Sequence, residues 1–352
     1  HNGSAFGFDC ILGNPPYLGA QKINTKYGSR YIANLRYYFE PAGGLADLIT
    51  YFMRRNYTIK KQNGFDSIIT TNTVSQGDTR KYGLEYLIKE CNQTINFVIS
   101  SRKWPGMAGV EVSLISIYKG NDFKPDLILD NVIVSNISTY FSSDETDTPP
   151  SLYQNEDICF VCAYILGDGF KISIEEYNEL ISKDIKNQDI IRKYIGGKTL
   201  NSQFDIEPYK FIICFADKEL TECKKYSELL AIVEDRVAEY RESVQSSTAR
   251  KYWWRFARTK VKDFNNIAHL NQVLISTKTT KHFNFVFLSP EIIFDQSVTV
   301  IGFDKFCKFS ILQTNIHELW ATHFGTTLRT DRRYSPQDCF ETFPFPQNLS
   351  SE

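Results

Sequence analysis

The chain has 352 residues, 42% hydrophobic and 23% charged, which is enough for two domains with separate cores and excludes a fibrous or disordered chain. A formal net charge of −1 excludes a uniformly basic nucleic-acid binder, so any affinity for a polyanion has to come from local charge. No apolar run reaches the length of a transmembrane helix.

The first element is Phe8-Asp9-Cys10-Ile11-Leu12, a strand-like run that leads into GNPPY, Gly13 to Tyr17. Two consecutive prolines end the strand, stiffen the loop and remove two backbone donors. Gly28–Glu40 is polar and aromatic and reads as a mobile segment or short helix. Asp47 opens a helix, DLITYFMRRNYTIKK, with Leu48, Tyr51, Phe52 and Ile59 spaced for one face, and Asn63-Gly64 is expected to end it. Strands follow at Phe65–Thr71, Ile95–Ser100 and Val110–Tyr118, with a helix near Arg80–Glu90. This alternation predicts part of a doubly wound α/β domain over residues 1–141.

The acidic, proline-ended stretch Ser142–Pro150 reads as a linker. Beyond it, residues 151–352 mix strands such as Tyr209–Phe215 and Val273–Thr277 with a long amphipathic helix, Tyr226–Val244, and a second helix, Cys307–Phe324. This is an α+β pattern with basic loops. Thr248–Lys262 holds Arg250, Lys251, Arg255, Arg258, Lys260 and Lys262 without an acid, and further basic clusters lie at Ser276–His282 and Arg329–Arg333. The 26 Phe and 20 Tyr serve core packing, and such rings also make stacking platforms for bases. The 8 cysteines are scattered, several in apolar runs, a pattern of reduced thiols in a cytoplasmic protein. Cys159 and Cys162 have CxxC spacing, but no second pair completes a zinc site, and Phe160-Val161 between them suits a core strand. The five histidines form no cluster.

The proline loop has a chemical use. An exocyclic amine is a poor nucleophile because its lone pair is delocalised into the ring. Two fixed acceptors on its hydrogens pull the nitrogen toward tetrahedral geometry and free that pair. The Asn14 side chain and the carbonyl of Pro15, locked by Pro16, supply such acceptors, and Tyr17 offers a stacking face. A base inside a duplex must first be flipped out to reach them. The alternative is a rigid turn that merely terminates the strand.

Asn14-Pro15-Pro16-Tyr17 resembles the [DNS]-P-P-[FYW] motif of S-adenosylmethionine-dependent amino-methyltransferases. The stretch GLADLITYFMRRNYTIKKQNGFDSIITTNTVSQGDTRKYGLEYLI is similar to the region after that loop in N6-adenine enzymes, and INFVISSRKWPGMAGVEVSLISIYKG to the segment carrying the second aromatic wall. The resemblance implies that Trp104 opposes Tyr17 across a flipped adenine; otherwise Trp104 packs beneath the following strand. YIGGKTL, KYWWRFARTK, FLSPEIIFDQSVTVI and LWATHFGTTLRTDRRYSPQDCFETFPFP resemble the target-recognition region of single-chain Type IIG/IIL restriction–modification enzymes and related phage-defence methyltransferases. In these, an endonuclease, a methyltransferase and a recognition domain share one polypeptide.

The resemblance implies a partial Rossmann-like methyltransferase domain, an α+β target-recognition domain, double-stranded DNA as partner, S-adenosylmethionine as cofactor with Asn14 beside it, Mg for the nuclease, and a bacterial cytoplasmic setting. Candidate DNA contacts are Lys251, Arg255, Arg258, Lys260, Lys278, Lys281, Arg329, Arg332 and Arg333. A solvated basic surface is the alternative for each. Trp253 and Trp254 are core or stacking residues, with at least one buried.

The family's cofactor site needs a Gly-rich strand–turn–helix before the proline loop, and only thirteen residues precede Asn14. Gly43-Gly44, Gly167-Asp168-Gly169 and Gly196-Gly197 do not read as a displaced copy. The chain is therefore expected to be the C-terminal part of a longer enzyme, weak in cofactor binding on its own, with an open sheet edge that favours self-association. The competing readings are a non-catalytic DNA-specificity module, and an amino-methyltransferase acting on cytosine N4 or a protein glutamine.

Overall fold

The structure is a computed structural model that describes residues 6–104, 111–120, 124–144, 149–202, 210–328 and 331–346. Two compact units divide the chain, residues 1–149 with 323–330, and residues 150–322 with 331–352. The return of residues 323–330 to the first unit has no signature in the sequence.

The first unit is built on a six-stranded mixed sheet. Its strands are β1 (Phe8–Gly13), β2 (Lys60–Thr71), β3 (Thr94–Lys103), β4 (Glu111–Lys119), β5 (Leu127–Leu129) and β6 (Val132–Val134), in the spatial order β1-β2-β4-β3-β5-β6. β1 and β2 run parallel, as do β3 and β5, and the remaining pairs are antiparallel. Helices α1 (Ala20–Tyr27), α2 (Ser29–Tyr38) and α3 (Leu48–Ile59) fill the connection from β1 to β2. The segment read as mobile or helical is thus α2. Ile49 and Met53 of α3, Ile68 of β2, Ile115 and Ile117 of β4, and Leu84 and Leu87 form the core against one sheet face. β1 lies at the edge of the sheet, and its Phe8 and Leu12 are 59% and 76% exposed.

One boundary differs from expectation. α3 stops at Ile59, and Asn63-Gly64 lies inside β2 instead of ending the helix. The cause is a buried ion pair. Lys60 reaches back to the Asp66 carboxylate and donates to the Ile117 carbonyl at 2.9 Å, which folds Lys60–Phe65 into a bulge where the β1 register slips. Asn63 takes a left-handed φ of 64° there, and its Oδ1 accepts from the Tyr118 hydroxyl at 2.8 Å. A Cβ on Gly64 would come within 3.0 Å of the Phe8 carbonyl, so this close approach of β1 needs glycine.

The second unit contains two four-stranded sheets. Its strands begin with β7 (Cys159–Val161), β8 (Lys171–Ile172), β9 (Ile191–Ile195) and β10 (Lys210–Ile213), followed by β11 (Val273–Thr277) and β12 (Thr279–Thr280). β13 (Val286–Leu288), β14 (Ile293–Phe294) and β15 (Val298–Ile301) complete the sheets, which are ordered β14-β9-β10-β8 and β13-β11-β15-β7. Cys159 and Cys162 are buried apolar packing at β7.

The long helix expected over residues 226–244 runs from Ser227 to Glu242 with a π-turn at Glu234–Ala238. Beyond that turn the buried Arg241 donates to the Ile165 and Arg255 carbonyls at 2.8 and 3.1 Å. The helix expected over residues 307–324 is two, Phe306–Leu312 and Asn315–Phe324. Gln313 turns its side chain to the Phe285 N–H at 3.1 Å, and the Thr314 hydroxyl donates to the Ile311 carbonyl at 2.7 Å. Gln313 thereby serves backbone outside the helix, and Thr314 bonds the carbonyl one turn back. Asn155, 2% exposed, ties the two ends of the unit by its amide, which reaches the carbonyls of Phe340, Glu341 and Phe343 at 3.2, 3.2 and 2.8 Å.

Candidate functional site

The GNPPY loop leaves the sheet where Gly13 pairs with Ile68. Pro15 and Pro16 have no N–H to anchor it, so neighbouring side chains do so. The Tyr17 hydroxyl donates to the Ile69 carbonyl at 3.0 Å and also meets the Asn14 Oδ1. The Leu18 N–H donates to the Asp47 carboxylate at 3.1 Å, and the Leu18 carbonyl accepts from the Leu48 N–H at 3.0 Å. Asp47 also accepts from the Ile49 N–H at 3.1 Å, which caps α3, while its own N–H donates to the Thr79 hydroxyl at 3.0 Å. One carboxylate therefore joins the exit of the loop to the start of a helix. Burial raises the Asp47 carboxyl above its usual value, opposed by the N–H donors and by the charge of Lys22. Burial, with the Asp47 charge second, also raises the Tyr17 phenol, which stays a neutral donor.

Asn14 is exposed and Tyr17 half-buried. The phenol of Tyr17 approaches the amide carbonyl that an incoming amine would use.

The sheet topology brings a further expected residue to the same end. Gly13 closes β1, Thr71 closes the parallel β2, and Lys103 closes β3 opposite Glu111 at the start of β4. Trp104, half-buried, is the next residue after β3. Three inter-strand steps separate β1 from β3 by roughly 14 Å across the sheet, and Gly13 stands level with Ile115, four residues along β4 from the Glu111 that pairs with Lys103. A base held between Tyr17 and Trp104 requires both loops to lean inward over the ends of β2 and β4. Beside the proline loop, on one sheet face, lies a cavity of about 490 Å³ lined by Gly13, Asn14, Ser67, Ile69, Asn96 and Phe97 among others. The Asn96 Oδ1 is buried there without a hydrogen-bond partner among the described residues. Neither the double anchorage by Asp47 nor the orphaned Asn96 had a sequence signal beyond the position of Asp47 before an apolar helical run.

The glycine pairs do not make a cofactor cradle. Gly196-Gly197 does follow a strand and open a helix, Gly197–Ser202. The Gly197 N–H is already taken by the Ser297 hydroxyl at 2.8 Å, and a Cβ there would meet that oxygen at 2.7 Å. Gly167 precedes a single turn, Asp168–Phe170, and Gly44 closes on the Asp78 carboxylate, which accepts from the Leu45 N–H at 2.7 Å. None of these three glycine turns is open to the nucleotide part of S-adenosylmethionine. No group of three or more His, Cys, Asp or Glu among the described residues is placed to hold a metal ion.

In the second unit the structure sorts the basic candidates. Arg255 is an internal brace, since its guanidinium donates to the Lys218 carbonyl at 3.0 Å, pairs with Glu219 at 2.7 Å, and lies over the Tyr252 ring at 4.7 Å. Trp254 is buried, and its indole N–H donates to the Lys218 carbonyl at 3.0 Å, whereas Trp253 is half-buried. Lys260 pairs with Asp263 at 2.8 Å, and Arg332 pairs with Glu318. Lys251 and Lys281 are exposed, and Arg329 lies outside the described residues. Arg258, Lys278 and Arg333 have no ion-pair partner among the described residues, and Lys278 lies within electrostatic reach of both arginines.

Two protein-family models match separate stretches of the chain. Residues 2–102 match the family described as Eco57I restriction-modification methylase, and residues 151–347 match the family described as MmeI, target recognition domain. DNA methyltransferase A of Bacillus subtilis (strain 168) is 24% identical over 361 residues, covering 96% of this chain and 39% of that protein. The Type IIL restriction-modification enzyme MmeI, solved in complex with DNA, superposes with a TM-score of 0.75 at 18% identity, covering 96% of this chain and 46% of that one, and so shares its fold. The chain spans less than half the length of each. With more than half of its residues matched, the chain belongs to the MmeI target recognition domain family, joined here to an Eco57I-type restriction-modification methylase segment.

Proposed function

We propose that this chain supplies the target-base loop and the DNA-recognition surface of a site-specific DNA methyltransferase of a restriction–modification system, acting on adenine N6. The anchored Asn14–Tyr17 loop carries this reading. Asn14 and the Pro15 carbonyl accept from the two amine hydrogens, Pro16 removes freedom from that carbonyl, and Tyr17 stacks on the flipped base with its ring fixed through Ile69. Trp104 is the proposed opposing wall. Asp47 acts as a positioning residue, holding the exit of the loop against α3.

S-adenosylmethionine supplies the methyl group when bound. The glycine pairs described above do not accommodate it, so each role assigned here concerns the acceptor base and the DNA. The proposed division is a methyltransferase portion at 1–141, partial Rossmann-like, a linker at 142–150, and a recognition domain at 151–352. The two family matches support it, and the compact units divide near residue 150 but count residues 323–330 with the first. A bacterial cytoplasmic setting goes with the reading, and no described helix is long and apolar enough to cross a membrane.

The test is methylation of duplex DNA by the protein encoded by the complete reading frame, read by mass spectrometry of the nucleosides. N6-methyladenine that disappears on Asn14→Ala supports the reading. N4-methylcytosine would move the target to cytosine, and methylation of a protein glutamine would replace DNA as the substrate. The filled glycine turns favour a second reading, a DNA-specificity module without catalysis. Sequence-selective binding with no methyl transfer would support that one.

A further inference from the structure

Three cations of the second unit are brought together by backbone pairing from distant parts of the chain. Arg258 exchanges both backbone hydrogen bonds with Tyr164, at 3.1 and 3.0 Å. Lys278 donates its N–H to the Ser297 carbonyl at 2.8 Å and accepts from the Tyr334 N–H at 2.8 Å, which puts Arg333 beside it, opposite Thr279 in the pairing of β12 with the short strand Asp331–Arg333. Tyr164 and Ser297 are themselves neighbours, through the bridge from Ala163 to Asp295.

Carboxylates on the same elements have other partners, and Asp217 accepts from the hydroxyl of Thr259, the residue after Arg258, at 2.6 Å. Asp295 accepts from the Tyr194 hydroxyl at 2.6 Å and the Ser297 N–H at 2.8 Å. Glu318 pairs with Arg332. Arg255 and Lys260, in the same basic segment as Arg258, each have an acid of their own. Burial lowers the Lys278 ammonium below its usual value, and the charges of Arg333 and Arg258 lower it further. A half-buried ammonium flanked by two guanidinium groups is electrostatically unfavourable, and an anion seated among them removes the repulsion.

We propose that Arg258, Lys278 and Arg333 form an anion clamp that holds a backbone phosphate of DNA. This rests on the reading of the second unit as the DNA-recognition part. Phosphate contacts fix register and orientation without reading sequence. The clamp would thus set where the recognition loops sit, leaving base readout to other residues.

Fluorescence anisotropy of labelled duplexes across a salt series tests the clamp, using the intact chain, Lys278→Gln, the double variant Arg258→Gln/Arg333→Gln, and the exposed controls Lys251→Gln and Lys281→Gln. The expected result for Lys278→Gln is weaker binding by the same factor on every sequence, with the slope of log K against log salt reduced by about 1, the value for one phosphate contact. The double variant loses more, the controls lose less, and thermal stability is retained in all. Unchanged affinity and slope in Lys278→Gln and the double variant overturn the clamp. So does a changed sequence preference, which would make these residues base readers. If the unaltered chain binds no duplex, the DNA-recognition reading fails, and titration with inorganic phosphate decides the clamp separately. A rise in melting temperature that Lys278→Gln abolishes supports it, and no rise overturns it.

Discussion

The backbone N–H of Leu18, the first residue after the proline loop, donates to the Asp47 carboxylate at 3.1 Å, and the same carboxylate caps the helix that starts at Leu48. The two donors need an acceptor, not a charge, and burial disfavours the ionised form of Asp47. Asp47→Asn is therefore expected to keep both bonds and lose little stability, whereas Asp47→Ala costs about 1–2 kcal/mol in urea unfolding. Because the folded carboxyl has a raised pKa, its contribution is largest at low pH and declines as pH rises through that value. The Asp47→Asn profile should be flatter in this region. Equal losses for Asn and Ala would show that the charge itself is required.

Lys60 and Asp66 form an ion pair with side-chain exposures of 0% and 2%. Burial lowers the lysine and raises the acid, each opposed by its partner. Removing one member strands a buried charge, so Lys60→Met is expected to cost about 3–5 kcal/mol. Lys60→Met/Asp66→Leu should recover much of that loss, and the deficit of the single variant should shrink on acidification as Asp66 becomes neutral. Chemical denaturation of the three proteins at two pH values checks this. A double variant no better than the single would show that the bulge depends on something other than charge pairing.

Arg255 is basic, sits among aromatics, and reads in the sequence as a DNA contact. In the structure its partners are Lys218, Glu219 and the Tyr252 ring. Arg255→Gln should therefore destabilise the second unit by about 1–2 kcal/mol for lost hydrogen bonds to a charged group, read as a lower thermal midpoint. The salt dependence of DNA binding should stay as in the unaltered chain. A reduced salt slope with unchanged stability would reverse the assignment.

The difference between Arg255 and Lys278 shows where the sequence was legible and where it was not. Period and punctuation located β1, α3 and β4, because each depends on its own side-chain pattern and on Pro, Gly or Asp at one end, while β11 was legible from its apolar run alone. The Asn14–Tyr17 loop was visible for the same reason. Long-range relations were not visible. Lys60 and Asp66 looked like a helix end and a strand residue, yet their pairing moves the boundary of α3. Gln313 gave no sign of splitting a helix, because the Phe285 N–H that it serves is set by tertiary packing, while the bond from Thr314 to the Ile311 carbonyl is a local alternative to the helical one. Which of the basic residues already has an acid, and which does not, depends on Glu219, Asp263 and Glu318, whose spatial positions no local pattern encodes.

His317 is fully buried, its Nε2 2.9 Å from the Tyr334 hydroxyl and its Nδ1 without a partner among the described residues. Burial pushes its pKa down to about 4 from the ordinary 6.5. Between those values the unfolded chain binds a proton that the native chain does not, so the second unit loses stability as pH falls through this window. The full difference is on the order of 3 kcal/mol. His317→Gln, which keeps a group able to bond Tyr334 but cannot titrate, is expected to lose some stability at neutral pH and to flatten the profile between pH 4 and 6.5. Thermal or urea unfolding across that range, with the Tyr334→Phe variant alongside, separates the titration from the hydrogen bond. Tyr334→Phe should shift the whole curve and keep its slope. A His317→Gln profile as steep as that of the unaltered chain would assign the acid sensitivity to other groups.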